Sequence, residues 1–403
     1  MTSVCFYFQV HQPMRLRRLH SFKPADGYDY WDNETNRAIL NRTADKCYLP
    51  TNALILDMIK KSDGWFRVAY SISGVFLEQA KKYRPDVIES FQALAATGHV
   101  EFLDETFYHS LASLWNDPVE YTTQIRQHRD LMKSLFGQAP TVFRNTELIY
   151  DDRIAAAIEE MGYEAIITEG TERILGDRSP NHVYAPEGPS RNLRVLLKNY
   201  RLSDDIAFRF SSPGWPEFPL TADKFANWLS HAEGETINLF MDYETFGEHQ
   251  WPETGIFEFL RCLPDAVRKY PHLGFALPSE VVRDNKPVGT IAAPQAISWA
   301  DTERDVSAWL QNKMQQQCFE KLKSLGPAVR AANDPALSHA WRLLQTSDHL
   351  YYCTTKHFGD QDIHSYFSPY ESPYVAYINY RNAIEDVTLK VKSRIATEAP
   401  LEH

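Results

Sequence analysis

The sequence predicts an α/β chain, with parallel strands and crossover helices first and a helical region after them. Three observations carry this. Seven short runs rich in β-branched and aromatic residues recur between residues 4 and 249. Segments with apolar residues at helical spacing lie between several of them. Beyond a Pro- and Gly-bearing stretch at 283–294 only the helical pattern remains. Alternation of strand and helix implies parallel strands joined by crossovers.

The strand candidates, in order, are VCFYFQVHQP, WFRVAYSISG, VEFLDETFYHS, TVFRNTELIY, EAIITEG, LRVLLKNYR and INLFMDYETFGEH. Among the helices, DVIESFQALAATG sets Val87, Ile88, Phe91 and Leu94 on one face and stops at Gly98. DDRIAAAIEEMGY sets Ile154, Ala157, Ile158 and Met161 on one face, after Asp151 and Asp152 and before Gly162. In the later region the pattern becomes helical, and DTERDVSAWLQNKMQQQCFEKL has Val306, Trp309, Leu310, Met314 and Phe319 near helical spacing. HAWRLLQTSDHLYYCT continues in the same style. The expected organisation is a strand–helix unit over 1–285, a linker over 286–294, a helical region over 295–395 and a tail over 396–403. The tail closes on LEH, the form in which an expression tag begins.

Seven strands of this kind suit a (β/α) barrel or an open doubly wound sheet. In a barrel, reactive groups gather at the carboxyl ends of the strands. Here those ends carry Gln9 and His11, Ser73 and Glu78, Glu105 and His109, Asn145 and Glu147, and finally Asp242, Glu244, Glu248 and His249.

Composition narrows the function. A formal charge of -11 argues against a nucleic-acid or anionic-membrane partner, since both need a positive face. No apolar run reaches about 18 residues, so no transmembrane helix is expected, and the N-terminus lacks the plan of a signal peptide. Five scattered cysteines without a CxxC fit a reducing cytoplasm and no disulfide framework. Aromatic residues are 13% of the chain, enough for a large core and also for platforms under sugar rings.

Two carboxylates stand out, Glu147 and Asp242, at the ends of different strands. Glycoside hydrolysis needs such a pair, about 5–5.5 Å apart for retention or about 6.5–9.5 Å for inversion. The plainer role of a strand-end acid is to cap a helix or pair with an arginine. His11, His109 and Glu78 have an ordinary role as satisfied polar groups, and a functional one as partners of sugar hydroxyls or carboxylates. Trp251, Trp299 and Tyr352 are core residues by default and stacking surfaces otherwise. His11, Glu105, His109, Asp242 and His249 are metal-ligand types, yet HExxH, HxxxH and CxxC spacings are missing. GxGxxG, Walker and GxSxG motifs are missing too, so no cofactor is expected.

Taken together, the motifs resemble glycoside hydrolase family 57, in its α-amylase-like branch. His11-Gln12-Pro13 is similar to that family's first region, with Gln9 where many members have a second histidine. SGVFLEQ resembles the second and implies a sugar contact for Glu78. FRNTELIY resembles the third and implies that Glu147 is the nucleophile. MDYETFGEH resembles the fourth and implies that Asp242 is the general acid/base. QTSDHLYYCTTK resembles the fifth, with Asp348 and His349 on the substrate side. ISWADTERDVSAWLQNKMQ resembles a segment that brings Trp299 and Asp301 toward the cleft. Glu244, His249 and Trp251 fall beside the fourth motif and join the expected substrate contacts.

The likeness runs from residue 6 to about 356 with the motifs in family order. It implies an incomplete (β/α)7 barrel followed by a C-terminal helical bundle, a retaining mechanism, no cofactor, and an α-glucan or maltooligosaccharide as substrate. Three alternatives accompany this reading: a 4-α-glucanotransferase or branching enzyme using the same site, a metal-dependent carbohydrate deacetylase or mannosidase, and a glucan-binding protein without catalysis.

Overall fold

The computed structural model describes residues 1–19, 25, 27–115, 117–188, 192–356 and 368–398. Ten strands are formed: β1 (Thr2–Val10), β2 (Val68–Ile72), β3 (Val100–Leu103), β4 (Val142–Arg144), β5 (Ala165–Glu169), β6 (Val183–Pro186), β7 (Arg194–Lys198), β8 (Thr236–Asp242), β9 (Leu273–Phe275) and β10 (Thr290–Ile291). β1, β2, β3, β4, β5, β7 and β8 are the seven anticipated strands, and they pair in parallel round a circuit. The fold is therefore an α/β barrel of seven strands, nearly closed, with a helical C-terminal part.

Two places in the circuit are thin. β3 meets β4 through the single bridge Asp104–Phe143, and β7 meets β8 through the single pair Lys198–Asn238. β6 lies antiparallel on β7, β9 adds to the first residues of β1, and β10 pairs with β6. These three strands, two to four residues long, were not among those read from the sequence. β10 falls within the segment expected to be a plain linker.

Alternation along the strands divides the core in two. Val4, Phe6, Phe8 and Val10 of β1 pack outward against a large apolar cluster shared with the surrounding helices. Tyr7 faces inward and joins Ala69, Leu103, Val142, Ile167, Leu196 and Phe240, one residue from each of the seven strands. That inner layer fills the barrel, as side-chain layers do in closed parallel sheets.

The helices form where capping chemistry allows. Asp151 caps Asp152–Glu160 by accepting from the Ile154 amide, and Gly162 follows at a positive φ of 83°. Pro85–Ala95 buries Val87, Ile88, Phe91 and Leu94, the four residues expected to face the core. The helical spacing over 301–322 is realised in pieces: residues 301–304 form a turn, Ser307–Leu310 a short helix, and a new helix runs over Lys313–Ala331. Asn312 is the reason: its side chain accepts the Gln315 amide while Gln315 accepts the Asn312 amide, a reciprocal cap that starts a helix there. The C-terminal helix covers Pro373–Glu398, taking in the first residues of the expected tail. The LEH terminus lies outside the described residues.

The helical region shares a core with the barrel's outer side. Trp309, Trp341 and Tyr380 are buried in one cluster with Phe143, Ile149, Ile166 and Val195. Among the described residues no helix is long and apolar enough to cross a membrane.

Candidate active site

Two residues beyond the inner apolar layer, and so on the same inward side, every strand of the circuit presents a polar group. These are Gln9, Ser71, Glu105, Arg144, Glu169, Lys198 and Asp242. All but Asp242 are buried. The ring is internally bonded. Glu105 Oε1 accepts from Gln9 Nε2 at 3.2 Å and from Ser71 Oγ at 2.8 Å, and its Oε2 lies 4.0 Å from Arg144 Nη1. Lys198 Nζ lies 3.6 Å from Glu169.

Above this ring sits Glu147. Its backbone adopts φ 59° and ψ 23°, and Leu148 follows at φ 53°. Two successive non-glycine residues in the left-handed region are costly, and such strain persists only where the surroundings enforce it. Asn145 does the enforcing: its amide donates to the Ile149 carbonyl at 2.9 Å and to Ser113 Oγ at 3.0 Å, while its Oδ1 accepts from Tyr121 Oη. His109 is left-handed too, at φ 49°.

Two isolated antiparallel bridges dock the helical region onto this loop. Tyr150 pairs with Ile297, and two residues on Trp299 reaches Glu147. Ser110 pairs with Thr346, which brings Ser347 and Asp348 beside His109. The result is a fully engaged carboxylate. Glu147 Oε2 accepts from Trp299 Nε1 at 2.7 Å. Its Oε1 accepts from Ser347 Oγ at 2.8 Å and lies 3.4 Å from His109 Nε2. His109 Nδ1 meets Glu105 Oε2 at 2.8 Å. His11 stacks on His109 with centroids 4.0 Å apart, and its own nitrogens meet Ser73 Oγ at 2.6 Å and Asp348 Oδ2 at 3.0 Å.

Charge sorts these groups. Burial disfavours a charged His109, but Glu105 and Glu147 outweigh it and lift its pKa to about 9. Burial alone would raise Glu147; its bond to His109, with Arg144 nearby, holds it below the usual carboxylate range instead. Asp242 moves the opposite way. Burial and the negative charge of Glu147 push it up, against the pull of Arg144, Lys198 and His109. Glu244 is raised as well, by burial and by Asp242, although Tyr48 Oη donates to it at 2.5 Å. The acid whose charge raises Asp242 is Glu147.

The structure thus joins Glu147, His109, Trp299, His11 and Asp348 by bonds and ring contact, and sets Asp242 within range of the charge of Glu147 and Glu244 within range of that of Asp242. It does not draw the remaining candidates into the same set of bonds. Glu78 lies inside the helix Gly74–Tyr83, pairs with His339 at 3.5 Å and is pushed up to about 7 by burial. His249 lies in the loop after β8, where its amide donates to the Glu244 carbonyl at 2.9 Å. Trp251, on the same loop, is 62% exposed. Asp301 is tied to Lys356 at 2.9 Å. His349 is buried 5.1 Å from the Tyr380 ring, and burial pushes it down to about 4. Tyr352 is a core residue. Arg144, Lys198 and Ser347 were missed in the sequence, as were Ser71 and Glu169 of the ring. Counting two residues on from each inward apolar position would have found the first two. No local pattern marks Ser347.

A family model described as Glycosyl hydrolase family 57 matches residues 5–294. A Methanocaldococcus jannaschii protein named "Putative alpha-amylase" is 47% identical, over 98% of this chain and 85% of its own. Among solved structures, a GH57-type branching enzyme from Pyrococcus horikoshii superposes with a TM-score of 0.69 at 12% identity, covering 99% of this chain and 95% of that one. A 4-alpha-glucanotransferase from Thermococcus litoralis gives 0.68 at 16% identity, covering 97% of this chain and 59% of that one. The chain therefore spans about three fifths of the glucanotransferase's length.

Proposed function

The chain belongs to glycosyl hydrolase family 57, and from that premise we propose that it is a retaining, α-amylase-type hydrolase of α-1,4-glucosidic bonds. Glu147 is the nucleophile and Asp242 the general acid/base. The observation that carries this assignment is a carboxylate held by Trp299, Ser347 and His109, whose charge helps raise Asp242 while it is itself held down. Divergent carboxyls of this kind divide into an anion that attacks and an acid that donates.

In the first step the Glu147 carboxylate bonds to the anomeric carbon. The glycosidic bond breaks, and the Asp242 proton passes to the departing oxygen. In the second step Asp242 takes a proton from water, the water oxygen bonds to the anomeric carbon, and the ester to Glu147 breaks. Trp299 Nε1, Ser347 and His109 hold the nucleophile ionised and oriented from three sides. The α-glucan substrate rests on the motifs and on the name of the 47% identical relative.

The test is a product profile on maltoheptaose, with Glu147→Gln and Asp242→Asn as controls. Short products only, lost in both variants, are expected. Products longer than the substrate would assign transfer in place of hydrolysis. Turnover at the wild-type rate in either variant would overturn the residue assignment.

A further inference from the structure

Arg144 is fully buried, yet none of its three guanidinium nitrogens has a hydrogen-bond partner among the described residues. A buried arginine normally spends its five donors on carboxylates or carbonyls. Here Glu105 Oε2 stands off at 4.0 Å, and the guanidinium carbon lies 5.2 Å and 5.3 Å from the ring centroids of Phe240 and Trp299. Lys198, the other cation of the polar ring, differs. It pairs with Glu169 at 3.6 Å and with Asp204 at 3.5 Å, so its charge is largely neutralised nearby. The charge of Arg144 is instead shared among Glu105, Glu147 and Asp242.

A buried, unbonded cation weakens a fold. Local costs of this kind persist where function needs them. We propose that Arg144 is a positioning residue of the double displacement: its shared charge keeps Glu147 anionic for attack and then turns Asp242 from acid to base. This rests on the roles assigned to Glu147 and Asp242 above. While Glu147 is an anion, its charge offsets the pull of Arg144 on the Asp242 proton. Once the ester to the sugar has consumed that charge, the pull is unopposed, and Asp242 is poised to accept the proton of water.

The charged groups facing the pair are known from every side. They are His11 beyond β1, Glu105 and His109 beyond β3, Arg144 on β4, Glu169 on β5 with its partner Arg304, Lys198 on β7, Glu244 beyond β8 and Asp348 in the helix Ser347–Tyr351. Of these Arg144 is the cation whose side-chain nitrogens are all buried and unbonded among the described residues, while Lys198 is held by two closer carboxylates.

The experiment compares Arg144→Met and Arg144→Lys with the wild type. In the methionine variant both limbs of the pH profile of kcat/KM on a maltooligosaccharide should move to higher pH, by about one unit or more, because both carboxyls lose a cation. The lysine variant should keep both limbs near their wild-type positions. A purely structural role would lower the rate without moving the limbs. Alongside, the Asp242 carboxyl is titrated by ¹³C NMR in each protein, with the signal assigned by Asp242→Asn. This readout needs no turnover, so a failed function assignment and a failed role for Arg144 are told apart. Unmoved titration in Arg144→Met, equal shifts in both variants, or unfolding of both would overturn the inference.

Discussion

Trp299 meets Glu147 twice: its indole Nε1 donates to Oε2 at 2.7 Å, and its backbone amide donates to the Glu147 carbonyl at 3.3 Å. The second contact anchors the chain and the first acts on the reacting group. They can be separated by mutation. Trp299→Phe keeps the backbone contact and the ring while removing the donor. The loss of one hydrogen bond to a charged group, about 1.5–3 kcal/mol, corresponds to a fall in kcat of about 10- to 100-fold. The acidic limb of the pH profile should move up, since Glu147 becomes easier to protonate. An unchanged limb would mean that the indole only packs.

Removing either carboxyl tests the core assignment. Asp242→Asn should lower kcat by about 10²- to 10⁴-fold, the usual worth of a general acid/base. Glu147→Gln should lower it at least as far, since no ester can form. Steady-state rates on maltoheptaose decide.

The Glu105–His109 pair predicts a pH dependence of stability. His109 is raised from 6.5 to about 9, so its contribution is complete below 6.5 and is lost as pH rises through 9. For Glu105, burial acts upward, but His109 and Arg144 bring it from 4.5 to about 2; that contribution is complete above 4.5 and is lost as pH falls through 2. Both shifts describe one ion pair and are not summed. The pair therefore stabilises most between pH 4.5 and 6.5. In His109→Gln the urea midpoint should lose this dependence on both sides of that window.

Ser347→Ala removes the hydroxyl on Glu147 Oε1. Since Ser347 also fixes the loop through its amide to the His109 carbonyl at 2.9 Å, the fold should survive. A fall in kcat of about 10-fold is expected, with KM nearly unchanged. A change confined to KM would place the hydroxyl on the sugar.

The metal-dependent alternative is settled by chelation. Activity of EDTA-dialysed enzyme should equal that of untreated enzyme, and restoration by added zinc or manganese would overturn the displacement chemistry.

How legible the molecule was in its sequence depends on the range of the forces involved. The seven circuit strands could be read because each is a continuous apolar run closing on a polar residue, as burial on both faces demands. Glu147 and Asp242 could be read because they stand at such ends. β6, β9 and β10 were not read; β3 and β4 are as short, but they run directly into the polar segments that hold Glu105 and Glu147. The break at Asn312 was visible in principle as a cap, but the apolar spacing on either side masked it. Trp299 and Ser347 reach Glu147 through one-pair bridges between distant segments, and those leave no local trace. The expected nearness of Trp299 came from resemblance alone, and Ser347 was not anticipated.

The two thin junctions in the barrel divide its wall into arcs. One holds β8, β1, β2 and β3, and the other holds β4, β5 and β7. Asp242 stands on the first arc and Glu147 follows the first strand of the second. No continuous ladder of strand pairs runs between the two carboxyls without crossing a junction made by a single residue pair. The spacing of nucleophile and acid therefore rests on two narrow seams, and side chains that reach over one of them, such as Arg144 toward Glu105, act as its clasp.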